Sequence, residues 1–167
     1  MEKIAAVFSR FSDTVDRLIQ YLVFVIIVGM VTVTTLQVIC RVFFTALAWS
    51  EELTRYLLVW GTFFAATMAY KRGNHIAITF LVGLFSRKYQ HYFSILTYLI
   101  SIGFFSVIAY YGWQMMKLQV FQISPAMSLP MKYVYSAIPA SLIIMSIHAV
   151  SGIFSDLLRI SGKEVSA

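Results

Sequence analysis

Cysteine, proline and acidic residues are all scarce in this 167-residue chain, and each scarcity removes a class of protein. The single cysteine, Cys40, cannot close an internal disulfide and matches no metal-ligand spacing, which excludes a stapled fold and a cysteine-held metal. Seven acidic residues and three histidines, scattered along the chain, supply no converging nucleophile, base and metal ligand, so most enzymatic readings fall away. The three prolines, Pro125, Pro130 and Pro139, all lie in the last third, so no pair of interrupted half-helices repeats between two halves of the chain. Charge of either sign is rare as well. Only 12% of residues are charged and 60% are hydrophobic, whereas a water-soluble domain has about a quarter of its residues charged. The solvent of this fold is lipid.

What the chain has in abundance is long apolar runs. Residues 18 to 40, 93 to 116 and 133 to 155 contain no charge, and each exceeds the roughly 20 residues that cross about 30 Å of hydrocarbon. A fourth run, 56 to 70, is uncharged for only fifteen residues, about 22 Å of helix, so its helix has to begin near Glu51 and bring Glu51, Glu52 and Arg55 to the bilayer edge. Backbone groups in lipid must be hydrogen-bonded within the segment, and the strand alternation of a barrel is missing, so the expected fold is all-α. The expected spans are 18–41, 50–70, 91–116 and 133–158, joined on one side by a loop at 117–132. Apolar residues at helical spacing (Ile4, Val7, Phe8, Phe11, Val15) predict an amphipathic helix over 3–17 on the cytoplasmic surface, running into the first span. Segment 76–88, too short to cross, is expected along the inner interface.

Orientation follows from lysine and arginine in the short flanks. With both termini inside, nine of the thirteen basic residues are cytoplasmic and four lie outside, which predicts an N-in, C-in protein. The formal net charge of +6 is therefore topological, and no basic stripe on a soluble face suggests nucleic acid. The first apolar run is too long for a cleaved signal peptide and is read as an anchor. Tyrosines and tryptophans gather where spans meet water, including Trp49, Tyr56, Trp113 and Tyr133, as an aromatic belt among membrane lipids.

Within the spans few groups could carry chemistry. His148 alone among the histidines lies in an uncharged run, where hydrogen bonding to a neighbouring helix is its expected role, and no second histidine at that depth could complete haem ligation. Residues 18 to 40 contain no carboxylate of the kind a minimal four-helix exporter needs. Pro139 predicts a mild kink in the fourth span. The sharpest local pattern is Trp49-Ser50-Glu51-Glu52-Leu53-Thr54-Arg55-Tyr56: Ser50 suits an N-cap, the glutamates suit the positive helix end, and Arg55 lies at i+4 and i+3 from them, predicting one compact charge network. Ser124-Pro125 and Leu129-Pro130 predict an extended, turn-rich loop.

These residues resemble the small membrane subunit of tripartite ATP-independent periplasmic (TRAP) transporters. The likeness rests on the Trp49–Tyr56 motif followed by Trp60, on Lys71-Arg72-Gly73-Asn74-His75, and on Ser124-Pro125-Ala126-Met127-Ser128-Leu129-Pro130 continued by Tyr135 and Pro139. It covers residues 18 to 158, although segment 76–85 is more apolar than the acid-containing version of the family. The resemblance implies a non-enzymatic scaffold subunit in a bacterial inner membrane. Its implied partners are a large elevator-type TRAP membrane subunit and a periplasmic solute-binding protein that delivers an organic acid, such as a C4-dicarboxylate or a sialic acid. It implies no cofactor on this chain, with sodium ions held by the larger subunit, and it marks Trp49, Glu51, Glu52, Arg55, Trp60, Gly73, His75, Ser124, Pro125, Pro130 and Pro139 as contact or structural candidates. Two other classes stay open at this point: an autonomous four-helix channel or transporter, and a membrane assembly protein unrelated to solute uptake.

Overall fold

The computed structural model describes the backbone of residues 2–82 and 87–160, and the side chains of residues 6–73 and 90–160. Among the described residues the regular structure is helical apart from one isolated bridge: α1 (Glu2–Phe43), α2 (Ala48–Val82), α3 (Arg87–Leu118) with a 3-10 turn at Gln119–Phe121, then α4 (Lys132–Tyr135) and α5 (Ala137–Ile160).

Among the described residues three stretches are long and apolar enough to cross a membrane, Ala6–Phe43, Gln90–Phe121 and Lys132–Ile160. The four expected spans are therefore three on length and apolarity alone. In α2, Glu51, Glu52 and Arg55 near one end and Lys71 and Arg72 towards the other leave only a short uncharged centre. Segment 3–17 is the start of α1, with no break before the first span. Segment 76–88 falls partly on α2, which stays helical through Val82, and partly on residues 83–86, outside the described residues.

Two helix pairs build the bundle. Ile19, Val23 and Ile26, spaced by four and three residues on one face of α1, bury against Phe64 of α2, with Leu57, Trp60 and Met68 around them. Gly61 makes that approach possible, since a Cβ there would sit 3.1 Å from Ile26 Cγ2. In the second pair, Gly152 of α5 receives the Tyr98 ring of α3, and Gly112 of α3 receives Ile138 and Pro139. Ala140 and Ile144 of α5 join the first core, and Tyr70 meets Phe105 edge-on at 5.0 Å, so α2 and α5 link the pairs. α1 and α3 do not pack against each other among the described residues.

Helical bonding in the last span is interrupted at Ser136 alone, which keeps right-handed helical angles (φ −65°, ψ −18°). Pro139 has no N–H and its ring clashes with the carbonyl four residues earlier, that of Tyr135, where α4 ends. Ser136 makes the joint, and Pro139 then occupies the first turn of α5, where a missing N–H costs nothing.

The surface is apolar and much of the interior is polar. Phe24, Val25, Ile100, Phe104 and Val107 are exposed, while Ser12, Asp16, Thr67, Ser94, His148 and Asp156 are buried. This inversion is what a lipid solvent selects, since apolar side chains cost nothing outside and polar ones must find partners inside.

Candidate functional site

Polar groups collect at the two ends of α2. At its start, Glu52 turns away from its own helix and accepts three hydrogen bonds on one oxygen, Oε2. These come from the Ser124 hydroxyl at 3.0 Å, the Ala126 amide at 3.2 Å and the Met127 amide at 2.8 Å. Converging donors of this kind favour the ionised carboxylate. The loop they hold is also closed on itself. Ser124 N–H donates to Leu129 O at 2.9 Å, Met131 N–H donates to Gln122 O at 2.8 Å, Ile123 bridges Pro130, and Ser128 takes the left-handed conformation with φ 54°. Tyr56 adds a contact from its hydroxyl to Met131 Sδ at 3.5 Å.

The compact charge network expected among Glu51, Glu52 and Arg55 is not closed by ion pairs among the described residues, although the Arg55 charge still acts on Glu52. Glu52 is taken by the loop, Glu51 accepts from Gln37 Nε2 of α1 at 3.3 Å, and Arg55 is exposed without an ion pair among the described residues. Ser50 is not the N-cap either. The helix starts two residues earlier, and the buried Ser50 hydroxyl donates to Leu47 O at 2.7 Å. Trp49 is exposed beside this edge, and Ser124 is buried beneath it. Trp60 lies deeper, against the α1 core with its ring 5.4 Å from that of Phe64. Pro125 follows Ser124 into the turn, and Pro139 is buried against α3. Gly73 has open space where a side chain would be, and the side chain of His75 lies outside the described residues. Thus Trp49, Glu51, Glu52, Arg55, Ser124, Pro125 and Pro130 come together at one end, while Trp60, Gly73, His75 and Pro139 do not join them.

Nineteen residues further along α2, about 28 Å of helix, Lys71 marks the opposite end. Its ammonium donates to Asp13 Oδ1 at 2.7 Å and to Ser12 O at 3.0 Å, and lies 3.9 Å from Asp16 Oδ2. Asp16 also accepts from Gln20 Nε2 at 2.7 Å. Beside them the Ser12 hydroxyl meets His148 Nδ1 at 2.7 Å, and His91 Nδ1 meets Asp156 Oδ1 at 3.0 Å. Of these groups Ser12, Asp13, Lys71, His148 and Asp156 line a cavity of about 160 Å³, together with Tyr98, Ser151 and Arg159. His148, 5% exposed, bonds a neighbouring helix, the role expected of a lone intramembrane histidine.

Most of this second cluster escapes a reading of local spacing. The amphipathic pattern of segment 3–17 is present, but its polar face, Ser12, Asp13 and Asp16, meets α2 and α5, while Val7 is exposed and Phe8 stacks on Phe154 of α5 at 5.1 Å. A usable signal was the pairing of charges at one membrane level. Asp13 and Asp16 before the first span, Lys71 after the second, His91 before the third and Asp156 at the end of the fourth all fall on the same side of the topology.

Apolar outside, tied at both ends by buried polar contacts and carrying several membrane-length helices, the molecule is a helical integral membrane protein. Residues 30–159 match the family of tripartite ATP-independent periplasmic transporters, DctQ component, and the chain belongs to that family. It is similar to two Haemophilus influenzae proteins assigned by name as TRAP transporter small permease proteins. One is 24% identical over 152 residues, covering 90% of this chain and 94% of the relative; the other is 24% identical over 137 residues, covering 81% and 83%. Family and apolar helices together place it in the inner membrane as a multi-pass subunit of a TRAP transporter.

Proposed function

We propose that this chain is the stationary brace of a sodium-coupled TRAP transporter for organic acids of the C4-dicarboxylate or sialic acid type, held against a larger elevator-type membrane subunit. The observation that carries the reading is the double fastening of α2. Glu52 ties one end to the loop after α3, and Lys71 ties the other to Ser12 and Asp13 of α1, about 28 Å away. A helix clamped at both membrane levels supports α2 as a fourth span despite its lower apolarity, and suits a framework against which another subunit moves. The reading places both termini on the cytoplasmic side, following the basic residues, and the Glu52 loop on the periplasmic side.

Exposed Trp49, Glu51 and Arg55 around that loop are the groups left to meet a partner, either the larger subunit or a periplasmic solute-binding protein. The reading assigns no catalytic step to this chain and leaves sodium and substrate to the larger subunit. Affinity purification from mild detergent of the tagged chain, co-expressed with the larger TRAP membrane subunit, tests it. The larger subunit is expected to co-purify, and the pair Trp49→Ala with Glu51→Lys is expected to lower its recovery. A folded wild-type chain that recovers none of it contradicts the reading.

A further inference from the structure

We infer that the polar cavity at the Lys71 end, together with an apolar groove on the adjoining helix faces, binds one phospholipid with a zwitterionic phosphate–ammonium headgroup. The inference goes beyond the bracing role and does not depend on it.

The cavity measures about 160 Å³. A single water needs about 10–15 Å³ measured this way, so the space suits a group of several heavy atoms rather than one ion. Its lining is built for a ligand with charges of both signs. Arg159 stands exposed at the rim without a carboxylate partner among the described residues, and Ser9 and Ser155 bring hydroxyls beside it, a set suited to phosphate. Asp13, whose side chain is 60% exposed, uses one oxygen on Lys71 and retains acceptor capacity for an ammonium. A purely anionic group would meet Asp13 and Asp156 in the same space. Deeper in the lining, His148 is 95% buried, yet its Nε2 has no hydrogen-bond partner. Orphaned buried polar atoms are costly, and a bound polar group removes the cost.

The groove points to a lipid rather than a soluble zwitterion. It has a volume of about 310 Å³ and is lined by Phe8 and Phe11 of α1 and Ile147 and Val150 of α5, and it borders the cavity along two helix faces, where Phe8 lies one turn from Ser12 and Ile147 one turn from Ser151. It continues to Ala109 of α3, eleven residues beyond Tyr98, which lines the cavity. That difference is about 16 Å along the helix, from the headgroup level towards the centre of the bilayer, the direction an acyl chain takes.

The test is to purify the full-length chain from native membranes in mild detergent and measure retained lipids by mass spectrometry. Thermal unfolding is then followed with added phosphatidylethanolamine or glycerophosphoethanolamine, which has the same headgroup without chains. Phosphatidylethanolamine should be enriched about fivefold over its bulk ratio to phosphatidylglycerol, and the lipid alone should raise the unfolding temperature. Arg159→Gln, at an exposed position, and Ala109→Phe, which fills the groove, should each return the ratio to bulk while both variants stay monodisperse and helical. Bulk ratios in the wild type, enrichment of phosphatidylglycerol instead, equal stabilisation by glycerophosphoethanolamine, or unchanged enrichment in both folded variants would each overturn the inference.

Discussion

At the Glu52 end, one carboxylate oxygen takes three hydrogen bonds from a single loop, and that loop closes on itself through its own backbone. At the Lys71 end, charged and polar side chains from four helices meet around a cavity, and Asp16 Oδ1 and His148 Nε2 are left without partners. The difference teaches what each end is for. A carboxylate with three donors closes one loop locally, while the Lys71 cluster gathers side chains of four helices around a space large enough to hold a ligand.

The comparison can be broken most severely at Lys71. Lys71→Met removes the cation 3.9 Å from Asp16, whose side chain is 12% exposed, and it is expected to cost about 2–4 kcal/mol in detergent unfolding. A loss below about 0.5 kcal/mol would mean that the cluster behaves as an ordinary surface pair. Next in size, Ser12→Ala deprives buried His148 Nδ1 of its partner and is expected to cost about 1–3 kcal/mol in the same assay. Glu52→Gln acts locally. Hydrogen exchange at the Ala126 and Met127 amides should lose protection, while Glu51→Gln, which touches only Gln37, leaves it unchanged. Equal effects from the two would show that Glu52 is not the organiser of the loop. The smallest change lies between the ends. Gly103 has open space around it, so Gly103→Ala should stabilise by at most about 1 kcal/mol through helix propensity.

Much of the architecture is legible in the residues because uncharged length is a direct constraint from the bilayer, and residues 18–40, 93–116 and 133–155 lie within helices that are long and apolar enough to cross. Features that depend on distant partners are less legible. The Glu51–Arg55 spacing predicts a local network, yet the loop that captures Glu52 lies more than seventy residues away in sequence, and its three donors outcompete one solvated arginine. Periodicity in segment 3–17 separates two faces without saying which meets protein, and Asp16 and Ser12 turn inward because Lys71 and His148 are there to meet them. Pro139 is visible as a breaker, but the break falls at Ser136, since the clash acts on a carbonyl four residues earlier. Of the candidate contact residues, those around Ser124 and Glu52 converge, whereas Trp60 was read from the motif and belongs to the core.

Sodium-driven uptake of an organic acid into proteoliposomes tests the bracing role most directly, comparing this chain alone with the chain reconstituted beside the larger TRAP membrane subunit and a solute-binding protein. The account predicts accumulation only in the complete system, with none above empty vesicles for the chain alone. Accumulation by the purified chain, under the same gradient and free of other proteins, would contradict it.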